Sequence, residues 1–313
     1  MSMKSVLKRL LRRSVRLVVW YGEEALQDRH NVDVFLSACL NGSGELLKIR
    51  DAASYVKFLR SCIEPTRFYL KEVKVTPAPS SAASKRFATL LDVLGSRVPP
   101  LEFSVAQEIG LLADRNSSLL TPLEYERWAG DVGLHFSIGS SFGKIGRLLS
   151  GTIRLCRSER CLELGTAYGM SALFILAALK DNGGVGHLTT LECAEPQYSL
   201  ASEVLKSRYG DMVSCHFGTT QESLGKIVKS MNGIDFLFHD AGHSREDIVR
   251  DFGAVCEALI PGAVVLIDDI RWEDPRFHTA PPRTYEGWME VVAHPRVIRA
   301  VEIDGSLGLL LLQ

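Results

Sequence analysis

The chain has no paired cysteines, no long apolar run, no lysine-bearing phosphate loop and almost no net charge, and each lack removes a class of function. Its seven cysteines stand alone at positions 39, 62, 156, 161, 193, 215 and 256, an odd number with no C-x-x-C spacing. That pattern argues against a disulfide framework or a zinc knuckle and suits a reducing compartment, so a cytoplasmic location is expected. No uninterrupted apolar run approaches the roughly 20 residues of a membrane span. A formal charge of −1 gives no basic field, so no nucleic-acid partner is expected. Neither G-x-G-x-x-G nor G-x-x-x-x-G-K-[ST] occurs, which excludes the dinucleotide fingerprint and the phosphate-cradling loop. The remaining composition, 46% apolar and 23% charged over 313 residues, fits a soluble globular chain of one large domain with an accessory part.

The even charge balance is broken at the N-terminus. Lys4, Lys8, Arg9, Arg12, Arg13 and Arg16 precede the first acid, Glu23, while Val6, Leu7, Leu10, Leu11 and Val18 recur at helical spacing. Residues 4–19 therefore read as a basic amphipathic helix. Peripheral docking on a membrane or a transit peptide is one role for it. Packing on the body, or on the partner subunit of a homodimer, is the other. No small-residue cleavage site follows an apolar core, so no secretory signal is expected.

Residues 23–75 read as mainly helical, and 76–84 form a low-complexity linker or loop. Thr121-Pro-Leu-Glu124 has the cap, proline and acid of a helix start. From about residue 158 strands and helices alternate. Strand candidates are 160–164, 187–192, 212–217, 234–239, 263–267, 297–303 and 307–312. After Ser244 one apolar face collects Ile248, Val249, Phe252, Val255, Cys256 and Leu259, and Pro261-Gly262 ends that helix. The alternation predicts a doubly wound, Rossmann-like seven-stranded α/β sheet. Asp304-Gly305 is a hairpin signal, so the final strand should be antiparallel. The division expected is an N-terminal helical accessory region, 1–100, and a ligand-binding domain, 101–313.

In such a sheet ligands bind beyond the carboxyl ends of the strands. The first strand runs into Glu163-Leu-Gly165-Thr-Ala-Tyr168-Gly169-Met-Ser171, a strand, a glycine turn and a helix start. Glu163 ahead of the turn suits a cationic or amino-acid-bearing ligand better than a pyrophosphate. Glu192 ends the second strand, 27 residues past Gly165, where an acid can accept both ribose hydroxyls of a nucleoside. After the third strand, Thr220 and Gln221 can bond an adenine edge, or Thr220 can cap the next helix. Asp240 follows the fourth strand, and Asp268 and Asp269 the fifth. Three carboxylates converging in this way suit a bound cation, and all-oxygen ligands favour Mg²⁺ or another hard divalent ion over zinc. Asp268 or Asp269 could instead cap a turn. His243, three residues past Asp240, is a candidate general base or a helix-start residue. His239, inside an apolar strand, reads as a structural histidine.

Taken together these segments resemble the class I S-adenosylmethionine-dependent methyltransferases. They are most similar to the metal-dependent O-methyltransferases of the catechol and caffeoyl-coenzyme A type and their bacterial relatives. The resemblance spans roughly residues 135–313. It includes Ser141-Phe-Gly-Lys144, the turn from Glu163 to Ser171, Glu192, Gly218-Thr-Thr-Gln221, Asp235 to Asp240 and Val264 to Asp269. It departs from the family at Asp268-Asp269, usually Asp-Asn, and at His243, often lysine. The resemblance implies an O-methyltransferase acting on a small-molecule hydroxyl. S-adenosylmethionine would be held by Glu163, Gly165, Tyr168, Gly169, Ser171, Glu192, Thr220, Gln221 and Asp240. A divalent cation at Asp240, Asp268 and Asp269 would bind the acceptor oxygen, and His243 would take its proton. The alternatives are metal-independent carboxyl- or N-methylation at the same site and a non-catalytic cofactor-binding scaffold. Trp128, His135, Phe136, Trp272 and Phe277 are either pocket walls or ordinary core.

Overall fold

The computed structural model describes residues 59, 61–63, 66–76, 81–118, 135–272 and 281–313. The basic helix of residues 4–19, the helix start at Thr121, Trp128 and Phe277 lie outside the described residues. Eight strands form one sheet in the order β1-β7-β8-β6-β5-β2-β3-β4. They are β1 (Leu70–Val75), β2 (Arg160–Leu164), β3 (His187–Glu192), β4 (Val213–Phe217), β5 (Ile234–His239), β6 (Leu259–Ile267), β7 (Val297–Ile303) and β8 (Leu307–Leu312). The helices are α1 (Ala82–Gly95), α2 (Phe103–Ser118), α3 (His135–Cys156), α4 (Met170–Asp181), α5 (Glu195–Tyr209), α6 (Thr220–Ser230), α7 (Arg245–Val255) and α8 (Thr284–Ala293). No described helix is long and apolar enough to cross a membrane.

The strands β2 to β6 pair in parallel, and β8 inserts antiparallel between β6 and β7. Strand residues alternate between two apolar layers, as the period of two requires. Cys161, Phe236, Phe238, Val264 and Leu266 join one layer with α1, α3, α4 and α5. Leu162, Leu164, Leu237, Val265 and Ile267 join the other with α6, α7 and α8. The chain leaves β2 for β3 and β4 on one side, then crosses back to β5 on the other. The crevice at this reversal, beyond the ends of β2 and β5, is where such sheets hold ligands. The expected hairpin is present: Asp304 (φ 51°) and Gly305 (φ 73°) make a type I′ turn, closed by the Ser306 N–H on the Ile303 carbonyl at 3.1 Å.

Two features differ from the sequence reading. The sheet has eight strands rather than seven, because Leu70–Val75, inside the stretch read as mainly helical, pairs antiparallel with β7. A bulge between Glu72 and Lys74 breaks its alternation, so the period-two signal is lost, while Lys71 and Lys74 mark a charged edge strand. Pro261-Gly262 also lies inside β6 rather than at a helix end. Helix α7 stops at Val255, a short 3₁₀ turn (Cys256–Ala258) follows, and β6 begins at Leu259. The register against β5 jumps between Ile234 and Phe236, and this irregularity accommodates the proline.

Candidate functional site

The ends of β2, β3, β4 and β5 surround a cleft of about 500 Å³. Gly165, Glu192, Thr220, Gln221 and Asp240 line it, as the sequence predicts, with Ala167, Cys193, Asp247 and Arg250. Gly165 adopts φ 90°, and a Cβ there would fall 2.0 Å from the Asp240 carbonyl oxygen. Only glycine lets the β2 turn and the β5 end approach this closely. The same approach is closed by the Asp240 N–H on the Leu164 carbonyl at 2.8 Å.

Glu192 is 8% exposed. The Ala167 N–H donates to its Oε2 at 2.7 Å, and the Ala194 N–H to its Oε1 at 2.8 Å. Each oxygen keeps acceptor capacity for a further donor in the cleft. The turn that supplies Ala167 holds that residue at φ 43°, an uncommon conformation for a side chain with a Cβ.

Glu163 does not line the cleft. It is wholly buried below the β2 turn, where the Thr190 hydroxyl donates to Oε2 at 2.6 Å. Burial pushes its carboxyl up to about 7, against the pull of Ser171 and Thr190 and with a further push from Glu192. Ser171 is buried in the first turn of α4, and Gly169 caps that helix at φ 83°. Tyr168, between them, is half-buried.

The helix cap after β4 is Thr219, not Thr220. Its hydroxyl accepts from the Glu222 N–H at 3.3 Å, a side-chain N-cap, and donates to the Glu222 carboxylate at 2.9 Å. Thr220 is thereby free of the capping role, and its hydroxyl accepts from the Arg250 guanidinium at 2.9 Å. Arg250 and its neighbours are residues that sequence reasoning missed. The guanidinium also reaches Asp247 at 2.7 Å and Asp251 at 2.9 Å, and Asp251, 1% exposed, meets His239 Nε2 at 3.2 Å. His239 is therefore structural, as read. The available signal was polar spacing: Asp247 and Arg250 are three apart on α7, facing neighbours on a helix.

The carboxyls of Asp240, Asp268 and Asp269 are all raised, chiefly by burial. Burial first, then Asp268 and Asp269, push the Asp240 carboxyl well above the usual range. Burial and Asp269 push Asp268 up to about 7, and burial raises Asp269. Asp268 Oδ1 is occupied by the Asp269 N–H at 2.7 Å. Among the described residues, no group of three or more His, Cys, Asp or Glu side chains is arranged to hold a metal ion. The carboxylates of Asp268 and Asp269 act on Asp240, but the three side chains do not converge as a ligand set.

His243 is partly exposed, with Nε2 3.9 Å from Asp240 Oδ1 and its ring centroid 5.5 Å from that of Trp272. Lys144, in the upstream segment of the resemblance, instead ties α3 to Asp304 in the hairpin and lies 4.7 Å over the Phe68 ring.

Residues 162–270 match the model of a family described as a methyltransferase domain. This stretch of the chain, from β2 to the end of β6, is similar to a methyltransferase domain. No curated protein sequence matches it. Among solved structures, the O-methyltransferase of Bacillus cereus, in complex with SAH, is similar at 18% identity and a TM-score of 0.50, over 74% of this chain and 100% of that one. The O-methyltransferase TomG of Streptomyces achromogenes, in complex with SAM, is similar at 21% identity and a TM-score of 0.49, over 64% of this chain and 89% of that one. The SAH-bound methyltransferase PaMTH1 of Podospora anserina is similar at 18% identity and a TM-score of 0.49, over 70% and 100%. At 18% identity, the likeness to the Bacillus cereus structure speaks to the fold alone. The sheet has a Rossmann-like fold, with its cleft at the point where strand order reverses.

Proposed function

We propose that this chain binds S-adenosylmethionine in the cleft and methylates a hydroxyl of a small molecule. The observation that carries the reading is Glu192. Its carboxylate stands in the cleft wall with both oxygens fixed by backbone N–H groups, beside the glycine turn at Gly165. A cleft of about 500 Å³ has the size of a small-molecule or cofactor site.

S-adenosylmethionine supplies an electrophilic methyl group, so transfer forms an O–C bond as the C–S bond breaks. The residues of the chain bind, orient and move the proton. Glu192 accepts the ribose hydroxyls. Thr220, steadied by Arg250, and Gln221 face the adenine side. Buried Glu163 puts negative charge below the cationic amino-acid end. His243 Nε2, 3.9 Å from Asp240, takes the acceptor's hydroxyl proton. Holding the two reactants in line supplies much of the rate.

A cation-assisted form of the reaction rests on the negative field that Asp268 and Asp269 place on Asp240, and no step above depends on it. The scattered cysteines support a reducing, cytoplasmic setting. Calorimetry with S-adenosylmethionine tests the cleft. Transfer from the labelled compound to a panel of phenols, sugars and acids, with and without EDTA, tests the acceptor and the cation. Activity that survives chelation supports the direct form, and activity lost on chelation transfers the role to the three aspartates. Labelling of acids or amines alone would move the reading to carboxyl- or N-methylation. Absence of binding would overturn it.

A further inference from the structure

The loop after β5 and the loop after β6 meet at one buried hydroxyl. Thr284, the first residue of α8, is fully buried. Its Oγ1 contacts the backbone carbonyl of His243 and, at 2.7 Å, that of Trp272. A hydroxyl carries one proton, so the two carbonyls share it. These are the two residues whose rings lie 5.5 Å apart and 31° from parallel.

The surrounding contacts fix Thr284 in that place. The Arg245 N–H donates to the Pro282 carbonyl at 2.8 Å. A Cβ on Gly287 would fall 2.9 Å from the Arg245 Cα, so α8 packs directly on the start of α7. Arg245 pairs with Glu290 and Arg283 with Glu246 on the rim, where ion pairs contribute little by themselves. Arg283, immediately before Thr284, is held at φ 50°, a conformation that persists only where its surroundings over-determine it.

We propose that Thr284 is a positioning residue. Its hydroxyl locks His243 and Trp272 to α8 as one unit, so that the proton-accepting imidazole and the indole face the acceptor in a fixed relation. The inference rests on the proposed role of His243. Thr284 touches neither acceptor nor cofactor; it acts through the two carbonyls. Thr284→Val keeps the shape and removes the hydroxyl, and Thr284→Ser keeps the hydroxyl and removes the methyl group.

The test combines geometry with kinetics. In protein carrying ¹³C-labelled histidine, the His243 ring resonance, assigned by its loss in His243→Gln, reports the ring current of Trp272. Thr284→Val should shift that resonance toward an unstacked histidine, and Thr284→Ser should leave it near the wild-type position. With S-adenosylmethionine and catechol as the probe pair, Thr284→Val should lower kcat about 10- to 100-fold, the range expected of a misplaced group. The KM for S-adenosylmethionine should stay within about twofold, and Thr284→Ser should restore kcat. A Val variant with an unmoved His243 resonance overturns the clamp, whatever its activity. If the resonance moves and wild-type protein binds no S-adenosylmethionine, the functional reading falls while the geometric link stands. A moved resonance with unchanged kcat overturns the positioning role. If Thr284→Val does not fold, the Ser variant decides: the wild-type resonance and kcat support the hydroxyl's role, and a loss equal to that of His243→Ala overturns it.

Discussion

Gly165 and Asp240 touch backbone to backbone: a Cβ on Gly165 would sit 2.0 Å from the Asp240 carbonyl oxygen and 2.7 Å from its carbon. The glycine turn after β2 and the acidic loop after β5 are therefore one rigid corner. That corner brings the Glu192 wall, the β2 turn and Asp240 to a single cleft, with His243 beside Asp240.

Gly165→Ala should break the corner. The residue sits at φ 90°, where a side chain is strained by roughly 1–3 kcal/mol, and the clash with backbone adds to this. The thermal midpoint should fall by roughly 5 °C or more, as a loss of a few kcal/mol implies for a domain of this size. Calorimetry should find S-adenosylmethionine binding abolished. Unchanged melting would mean that the two loops do not approach as closely as described.

Glu192→Ala should weaken S-adenosylmethionine binding by roughly 2–4 kcal/mol, because charge-assisted bonds to two ribose hydroxyls are lost. It also frees the Ala167 and Ala194 N–H groups. Glu192→Gln keeps one acceptor oxygen and should lose less. Isothermal titration of the three proteins ranks them, and equal affinities would remove Glu192 from the site.

Much of this arrangement was legible in the sequence, for local physical reasons. Buried parallel strands are short apolar runs, so those of β2, β3, β5, β7 and β8 stand out, and Asp304-Gly305 announces its own turn. Gly165, Glu192 and Asp240 could be placed because strand ends fix where ligands bind. What escaped was non-local or masked. The bulge in β1 hides its alternation, and Pro261 reads as a stop although β6 carries it through an irregular register. Arg250 and Thr284 act through partners 30 and 41 residues away in sequence, Thr220 and His243, and no spacing rule links them. Strand-end positions put Asp240, Asp268 and Asp269 near one another, while side-chain direction, which decides coordination, is not written in them.

His243→Ala should lower turnover about 10²–10⁴-fold at neutral pH if the imidazole removes the acceptor proton. The loss should shrink at high pH, where a phenolic acceptor ionises unaided. Cofactor affinity should hold, because His243 does not line the cleft. Steady-state kinetics across pH make the comparison, and an unchanged rate profile would reduce His243 to a helix-start residue beside Ser244.

Buried Glu163 gives the stability of the cofactor-free protein a definite pH dependence. Its folded carboxyl titrates at about 7, above the ordinary 4.5. Below pH 4.5 both folded and unfolded chains hold the proton, and no penalty exists. Between 4.5 and about 7 the unfolded chain releases it while the folded chain keeps it, so stability falls as pH rises. Above that window the cost of a buried charge is complete, on the order of 3 kcal/mol. Asp240, Asp268 and Asp269 are raised as well and add with the same sign. Glu163→Gln keeps an acceptor for the Thr190 hydroxyl and removes the charge, so it should match the wild type near pH 4 and exceed it at pH 8 in urea midpoint. On the proposed reading, in which buried Glu163 lies below the ligand's amino-acid end, the same variant should bind the cationic S-adenosylmethionine more weakly. A variant both more stable at pH 8 and equal in affinity would make Glu163 a structural residue only.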